Sequence, residues 1–526
     1  MERSKETTNH KTITGTDFLQ LDRATASPGS LADWLTGQLR DAIADGRVPV
    51  GSALPASRVL ATELGVSRGV VTEAYQRLAE EGHVAGRGRA GTRVVSAPIS
   101  VSGVSGLPGG PGVPGVPSRS GVPIASGGPG ARLAPLAATS PAAAFAGAPN
   151  TEVFDALRSV PCRIDLSPGV PDLAAFPRSA WLRAERAVLG DLSPASFGYG
   201  DPRGAPAFRV VVANWLARNR GIPARPDDVI ITAGVAQALA LLARVLRQVG
   251  VTAVAVEDPG SLGARQQLGS WGLLTPPVGV DDRGLRVCDL RASGAAAVMI
   301  TPAHQFPMGV VLPGSRRREL RQWALDGGLI IEDDYDAEHR YDRPPVPALK
   351  AVLPEHVCYA GSVSKLLAPA LRVGWLLVPA AYHDAVVAAK RDTDLGNAVL
   401  PQLVLAELMA SGELERHHRL LRQRHVRRRD AMIAAVAAHL PEARVHGAAA
   451  GLHLTLTFGQ PGALSDADLA AAVLERGVKT QPLSWHSQQP CQPGLVLGYA
   501  ASTPAAIHDG VAVIATALGA RWPVRR

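Results

Sequence analysis

At 526 residues the chain is too long for one ordinary domain, and two or three are expected. Hydrophobic residues make up 46%, enough for large cores, yet no apolar run approaches the ~18 residues of a membrane helix, and residues 1–20 lack the apolar stretch of a secretory signal. A net charge of +8 spread over this length says little about partners, and the four cysteines (Cys162, Cys288, Cys358, Cys491) show no metal or redox spacing and read as buried thiols of a reducing cytoplasm.

Residues 1–28 read as a loosely held arm. From Leu31 the apolar positions Leu31, Trp34, Leu35, Leu39 and Ile43 recur at helical spacing, and Asp45-Gly46 is a stop signal. A short helix follows, with Ser57 as its expected cap and Gly65 as terminator. Ser67 then caps a helix from Arg68 to about Glu80, in which Val71, Ala74, Tyr75 and Leu78 form one apolar stripe. The opposite face carries Arg68, Gly69, Thr72 and Gln76. Two helices joined by a tight turn, the second with a short-chain polar outer face, are the pattern of a helix-turn-helix that reads a major groove. His83–Ala85 and Thr92–Val95 read as strands around Gly86-Arg87-Gly88-Arg89-Ala90-Gly91. On its own that loop is as consistent with a solvated turn as with a basic wing; directly after a reading helix, the wing is the better account.

LPASRVLATELGVSRGVVTEAYQRL and EEGHVAGRGRAGTRVV are long and gap-free, and through them residues 29–97 resemble the winged helix-turn-helix of GntR-type transcription regulators. The resemblance implies that Arg58, Ser67, Arg68, Thr72, Arg87 and Gly88 contact double-stranded promoter DNA. Arginine is the best base reader among them.

Residues 98–160 are dominated by glycine, proline, serine and alanine. Such a composition cannot bury enough apolar surface to offset its ordering entropy, so it reads as a linker, and glycine has no collagen period. Beyond it, Val229–Thr232, Val254–Val256, Ala297–Ile300 and Leu329–Ile331 are short apolar strands separated by helical stretches. That alternation indicates a doubly wound α/β sheet with ligand groups at the carboxyl ends of its strands. Gly234-Val235-Ala236 bends from a strand into a helix whose free amides suit an anion. Asp333 or Asp334 is placed to keep a pyridine nitrogen protonated, and Tyr335 beside them to meet a ring hydroxyl.

Lys365 sits in GSVSKLLAPALRVGW. An amine becomes nucleophilic near neutral pH when burial or neighbouring cations lower its pKa, and Ser362, Ser364 and Arg372 are the residue types that hold a phosphate dianion. Taken alone, Lys365 reads as a surface lysine. With its neighbours it reads as the Schiff-base lysine of a pyridoxal phosphate site. Further on, Glu413–Leu440 reads as a long helix whose histidines and arginines form a solvated or domain-bridging face, Gly451–Phe458 as a half-buried strand, and Ser465 and Thr503-Pro504 as starts of the last two helices.

Residues 161–526 resemble the fold-type I aminotransferases, on the strings SVSKLLAPALRVGW, IIEDDYDAEHRYD, TPAHQFPMG and GLHLTL. The fusion to a GntR-like head resembles the MocR group of regulators. The expected architecture is therefore a winged helix-turn-helix plus a doubly wound pyridoxal phosphate-dependent transferase-like domain with a small α+β lobe. The resemblance implies Lys365 as Schiff-base lysine and Asp333 as pyridinium partner. It also implies Tyr335 on the ring hydroxyl, Ser362, Ser364, Arg372 and the amides of Gly234, Val235 and Ala236 at the phosphate, and Tyr199 reaching in from a second subunit of a homodimer. Departures are Phe306 in place of an asparagine, Ser261 in place of a stacking aromatic, Val235 and Ala236 in place of side-chain donors, and no carboxylate-gripping arginine in Leu495–Tyr499. A cofactor cradle with a weakened substrate grip fits a cytoplasmic sensor of pyridoxal 5'-phosphate or its adduct with an amine. The alternatives are an aminotransferase with an accessory DNA-binding domain and a DNA-binding protein whose body only dimerises.

Overall fold

The computed structural model describes residues 31–44, 48, 51–80, 83–86, 91–95, 145, 147–336, 338–341, 347–459 and 464–521. The chain divides into two compact units, Met1–Thr139 and Ser140–Arg526. The arm at 1–28, the Asp45-Gly46 stop, the wing residues Arg87 and Gly88, and nearly all of the linker up to residue 144 lie outside the described residues.

The first unit contains helices Leu31–Ala44, Ser57–Leu64 and Arg68–Glu80, followed by the antiparallel pair Val84–Gly86 and Thr92–Val94. Its core is Leu35, Leu39, Ile43, Leu60, Leu64, Val84, Val94 and the expected stripe Val71, Ala74, Tyr75, Leu78. Gly65 turns the chain between the second and third helices at φ 61°, a left-handed conformation that glycine adopts without a Cβ penalty. The Ser67 hydroxyl accepts from Val70 N at 3.4 Å, as a cap does. Ser57 is not the cap. The second helix starts one residue earlier, with Ala56 O accepting from Leu60 N at 3.1 Å, and Ser57 is its first helical residue.

The second unit is built on an eight-stranded sheet in the order Ile230–Thr232, Gly374–Leu377, Val357–Ser362, Leu329–Asp334, Ala297–Ile300, Val254–Asp258, Pro277–Asp281, Gly284–Leu285. Gly374–Leu377 runs antiparallel to both neighbours, and Gly284–Leu285 is antiparallel to Pro277–Asp281; the other pairings are parallel. Successive strand residues point into opposite layers. Leu329 and Ile331 pack with helix Val235–Gln248, whereas Ile330 packs with Leu320 and Trp323 of helix Gly314–Leu325. Both faces being covered explains why these strands read as continuous apolar runs.

The small lobe has a four-stranded antiparallel sheet, Arg444–His446, His453–Thr457, Gly494–Gly498 and Gln481–Pro482. Against it lie helices Glu413–His439, Asp466–Glu475 and Pro504–Arg521. Ser465 caps its helix through Asp468 N at 3.1 Å. Strand His453–Thr457 is buried on both faces, not one: Leu454 and Leu456 enter the lobe core, while the other face meets the large domain, where Thr455 Oγ1 donates to Pro307 O at 2.6 Å.

Three further expectations are corrected. The stretch read as linker up to residue 160 ends in a helix, Val153–Ser159, because Phe145, Val153 and Leu157 find an apolar partner in the small-lobe core, with Phe145 stacked 5.1 Å from Trp485. Of the two readings of the long helix's face, solvated or domain-bridging, the solvated one falls: His417, His425 and Arg428 are buried, and Arg428 pairs with Asp172 at 2.8 Å. Of the cysteines read as buried thiols, Cys358 is buried, Cys288 is exposed and the other two are intermediate.

Candidate functional site

In the first unit Arg58, Ser67, Arg68 and Thr72 are all exposed, on the side of the second and third helices away from the core. The 3.6-residue period accounts for this: once Val71, Ala74, Tyr75 and Leu78 are committed inward, positions 68, 72 and 76 face out. Arg68 Nε reaches Ser57 Oγ at 3.5 Å, so the two helices present one continuous polar face. That face offers an uncommitted guanidinium at Arg58 and short hydroxyls, the chemistry that reads base edges and phosphates.

In the second unit a cavity of about 670 Å³ opens at the carboxyl end of the sheet. Lys365, Asp333, Tyr335, Ser362, Ser364, Arg372, Val235 and Ala236 all line it. All but Arg372, which precedes Gly374–Leu377, stand at or after a strand's end: Asp333 and Tyr335 at Leu329–Asp334, Ser362 to Lys365 at Val357–Ser362, and Val235 and Ala236 after Ile230–Thr232. Gly234 stands at the head of helix Val235–Gln248 with φ 80°. A Cβ there would lie 3.3 Å from Arg372 Nη1, so glycine lets the guanidinium close on the helix start, where Arg372 donates to Ala233 O. Tyr199, by contrast, is 94% exposed and does not line this cavity.

The electrostatics of the cavity oppose one another. Burial pushes the Lys365 ammonium below its ordinary value, against the pull of Asp333 and Asp336, and its Nζ donates to Gly169 O at 2.6 Å. Asp333 is pushed up to about 7, first by burial and then by the nearby Asp334, Asp336 and Glu257, and its Oδ1 is buried with no hydrogen-bond partner. Of the two aspartates Asp333 lines the cavity, whereas Asp334 turns away into an ion pair with Arg220 and accepts from Tyr359 Oη at 2.6 Å. The Tyr335 hydroxyl donates to His304 O at 3.1 Å, and His304 Nδ1 lies 2.9 Å from Asp336 Oδ2. Glu257, pushed up to about 7 by burial, accepts from Thr301 Oγ1 at 2.7 Å.

Residues 31–94 match the family of bacterial regulatory proteins named gntR, and residues 163–505 match aminotransferase class I and II. The chain is 30% identical over 94% of both chains to the probable rhizopine catabolism regulatory protein MocR of Rhizobium meliloti. It is 32% identical to the HTH-type transcriptional regulator TauR of Rhodobacter capsulatus, over 94% of this chain and 98% of TauR. This chain is a GntR-family regulator of the MocR type. Its body has the fold of pyridoxal phosphate-dependent aminotransferases. An archaeal alanine:glyoxylate aminotransferase superposes with TM-score 0.64 at 26% identity, covering 71% of this chain and 94% of the enzyme. The alpha-aminoadipate aminotransferase LysN of Thermus thermophilus superposes with TM-score 0.63 at 25% identity, over 72% and 96%.

The regulator is thus a DNA-binding protein, and among its described residues no helix is long and apolar enough to cross a membrane. Phe306 lies against His453 and His486, ring centroids 5.0 Å apart in each case, and Ser261 caps a helix by accepting from Ala264 N at 3.3 Å. Sequence reasoning missed Gly169, whose carbonyl holds Lys365, and the buried His453, Lys479, Gln481 and His486 on the small-lobe wall. The turn signal Ser167-Pro168-Gly169 was present for the first. Lys479 and Gln481 lie in two-residue strands and His486 in the short 3-10 turn Leu483–His486, with no motif to mark them, while His453 lies in GLHLTL without a chemical role attached.

Proposed function

We propose that this regulator senses pyridoxal 5'-phosphate, or its adduct with an amine, in the cavity of its body, and that occupancy alters promoter binding by its head as a homodimer. The observation that carries the reading is the pairing, in one cavity, of the Lys365 amine, whose charged form burial disfavours, with the buried Oδ1 of Asp333, which has no hydrogen-bond partner among the described residues. A buried carboxylate oxygen without a donor is costly, and a protonated ring nitrogen is the donor it lacks.

When bound, pyridoxal phosphate supplies an aldehyde that takes primary amines and a ring that withdraws electrons. Lys365 presents an amine whose charged form burial disfavours, donating to Gly169 O. Asp333 would hold the proton on the ring nitrogen, and the Tyr335 hydroxyl, which donates to His304 O and lies 3.0 Å from His304 Nδ1, would meet the ring hydroxyl. Ser362, Ser364, Arg372 and the amides after Gly234 form the phosphate end, with Tyr199 free to contribute to a second subunit's site. Arg58, Ser67, Arg68 and Thr72, with Arg87 and Gly88 of the wing, contact DNA. One relative, 30% identical over 90% of this chain, is the pyridoxine biosynthesis transcriptional regulator PdxR of Corynebacterium glutamicum, which agrees with a vitamer effector.

The test is titration of the purified protein with pyridoxal phosphate, with borohydride to trap a lysine adduct and promoter binding measured with and without the vitamer. A visible-edge absorbance band, modification at Lys365 and a change in promoter affinity are expected. An unmodified Lys365 in saturated protein overturns the proposal. Steady turnover of an amino donor with a keto acid would instead make the body an enzyme.

A further inference from the structure

Three buried polar side chains that the proposed function leaves unused meet where the small lobe joins the large domain. His304 follows strand Ala297–Ile300, Asp336 follows Leu329–Asp334, and His453 opens strand His453–Thr457 of the small lobe. Each is 1% exposed, and one nitrogen of each imidazole and one carboxylate oxygen of Asp336 all lie within 4.8 Å of one another. Two imidazoles and a carboxylate are the nitrogen and oxygen donors that suit a divalent transition-metal ion of the zinc kind.

The surroundings already orient these donors. His453 Nε2 donates to Pro307 O at 3.1 Å, which fixes the proton on that nitrogen and leaves the Nδ1 lone pair free. A ligating histidine is held in the same way, its second ring nitrogen donating to a backbone carbonyl. Burial holds the His453 imidazolium well below its ordinary value, so the ring is neutral, as a ligand must be. His304 offers Nδ1, 2.9 Å from Asp336 Oδ2, and a buried Nε2 that has no hydrogen-bond partner among the described residues. The protein alone therefore leaves this ring half satisfied. Gly451, at φ 81°, lets the small lobe close on the pair, since a Cβ there would lie 2.8 Å from Asp336 Oδ2. Entry is from the cavity, which is lined by His453 and by Tyr335, whose hydroxyl lies 3.0 Å from His304 Nδ1.

We propose that His304, Asp336 and His453 form a binding site for one divalent transition-metal ion, zinc or a close relative, with the remaining position open to the cavity. Its ligands come from both lobes, so the ion ties the small lobe to the large domain. The site stands apart from the cofactor reading and takes none of the residues assigned to it.

The experiment uses untagged full-length protein, cleared of metal with a chelator and dialysed against zinc chloride, with zinc counted by mass spectrometry. The surface pair His439 and His508, with Nε2 atoms 3.1 Å apart, is a second place for zinc, and His508→Ala removes it. The His508→Ala protein should keep one zinc per chain. Adding His453→Gln, whose amide can still donate to Pro307 O, should weaken that binding at least about tenfold. If the double variant fails to fold, zinc X-ray absorption of the His508→Ala protein decides, with two imidazole nitrogens at about 2.0–2.1 Å expected. No zinc in the His508→Ala protein, an affinity unchanged by His453→Gln, or a spectrum without two imidazoles overturns the site and leaves His304 and Asp336 a plain hydrogen-bonded pair. Metal content is read without the cofactor band, so neither outcome bears on the vitamer.

Discussion

The head and the body of this regulator place their functional groups in opposite settings. In the head a small apolar core lies on one side, and Arg58, Ser67, Arg68 and Thr72 stand in water on the other. In the body the functional groups are buried among one another: Lys365 beside Asp333, and Asp334 against Arg220. A surface that reads a polyanion needs reachable, solvated charges, whereas a site that tunes an amine needs desolvated ones. Variants should therefore act strongly and with pH in the body, and weakly and with salt in the head.

Lys365→Ala should have the largest effect, complete loss of the cofactor band by absorbance with folding retained by circular dichroism. Arg220→Met should come next. It leaves Asp334 buried without its counter-ion at a cost of about 3–5 kcal/mol in chemical denaturation, and Arg220→Met with Asp334→Leu should recover much of it. If the single change costs nothing, the body's charges are not buried in the way that sets it apart from the head.

A pH effect follows. Asp333 and Glu257 titrate at about 7 in the folded body, above their ordinary 3.8 and 4.5. The folded state holds these protons more tightly than the unfolded chain, so their contribution is present below about pH 4 and is lost as pH rises through 7. Asp333→Asn and Glu257→Gln should each flatten the decline of melting temperature between pH 5 and pH 8. In the head, Arg68→Ala should cost about 1–3 kcal/mol in promoter binding and reduce its salt dependence, as measured by affinity against salt concentration. Tyr75→Phe should be smallest, removing the 2.7 Å bond to Pro55 O for about 1 kcal/mol of head stability.

The same contrast governs what could be read from the sequence. The head was legible nearly to the residue, because one period of 3.6 sorts Val71, Ala74, Tyr75 and Leu78 from Arg68, Thr72 and Gln76. Among the described helices the first cap slipped, from Ala56 to Ser57, since a serine at a helix start looks like a cap wherever it stands. In the body the strands were legible as apolar runs, and the string around Lys365 carried its own chemistry. The residue reading left Asp333 and Asp334 open, because alternation places one on each side of a strand but does not say which side holds the cavity. The small-lobe wall was hidden for a similar reason. Alternation put His453 on the face read as solvent-exposed, which in fact meets the large domain, and Lys479 sits in a two-residue strand too short to show a period. Helix Val153–Ser159 was hidden by the glycine and proline before it.

That helix has a dual attachment. Val153 and Leu157 seat it in the small-lobe core, and Phe154, Leu157 and Arg158 also face the cavity. The covalent connection toward the head is therefore anchored on a wall that an occupant touches. By thermodynamic reciprocity, whatever factor a small molecule in the cavity applies to promoter affinity, the promoter applies to the affinity of the small molecule. Promoter-bound and free protein should accordingly differ in their hunger for the vitamer.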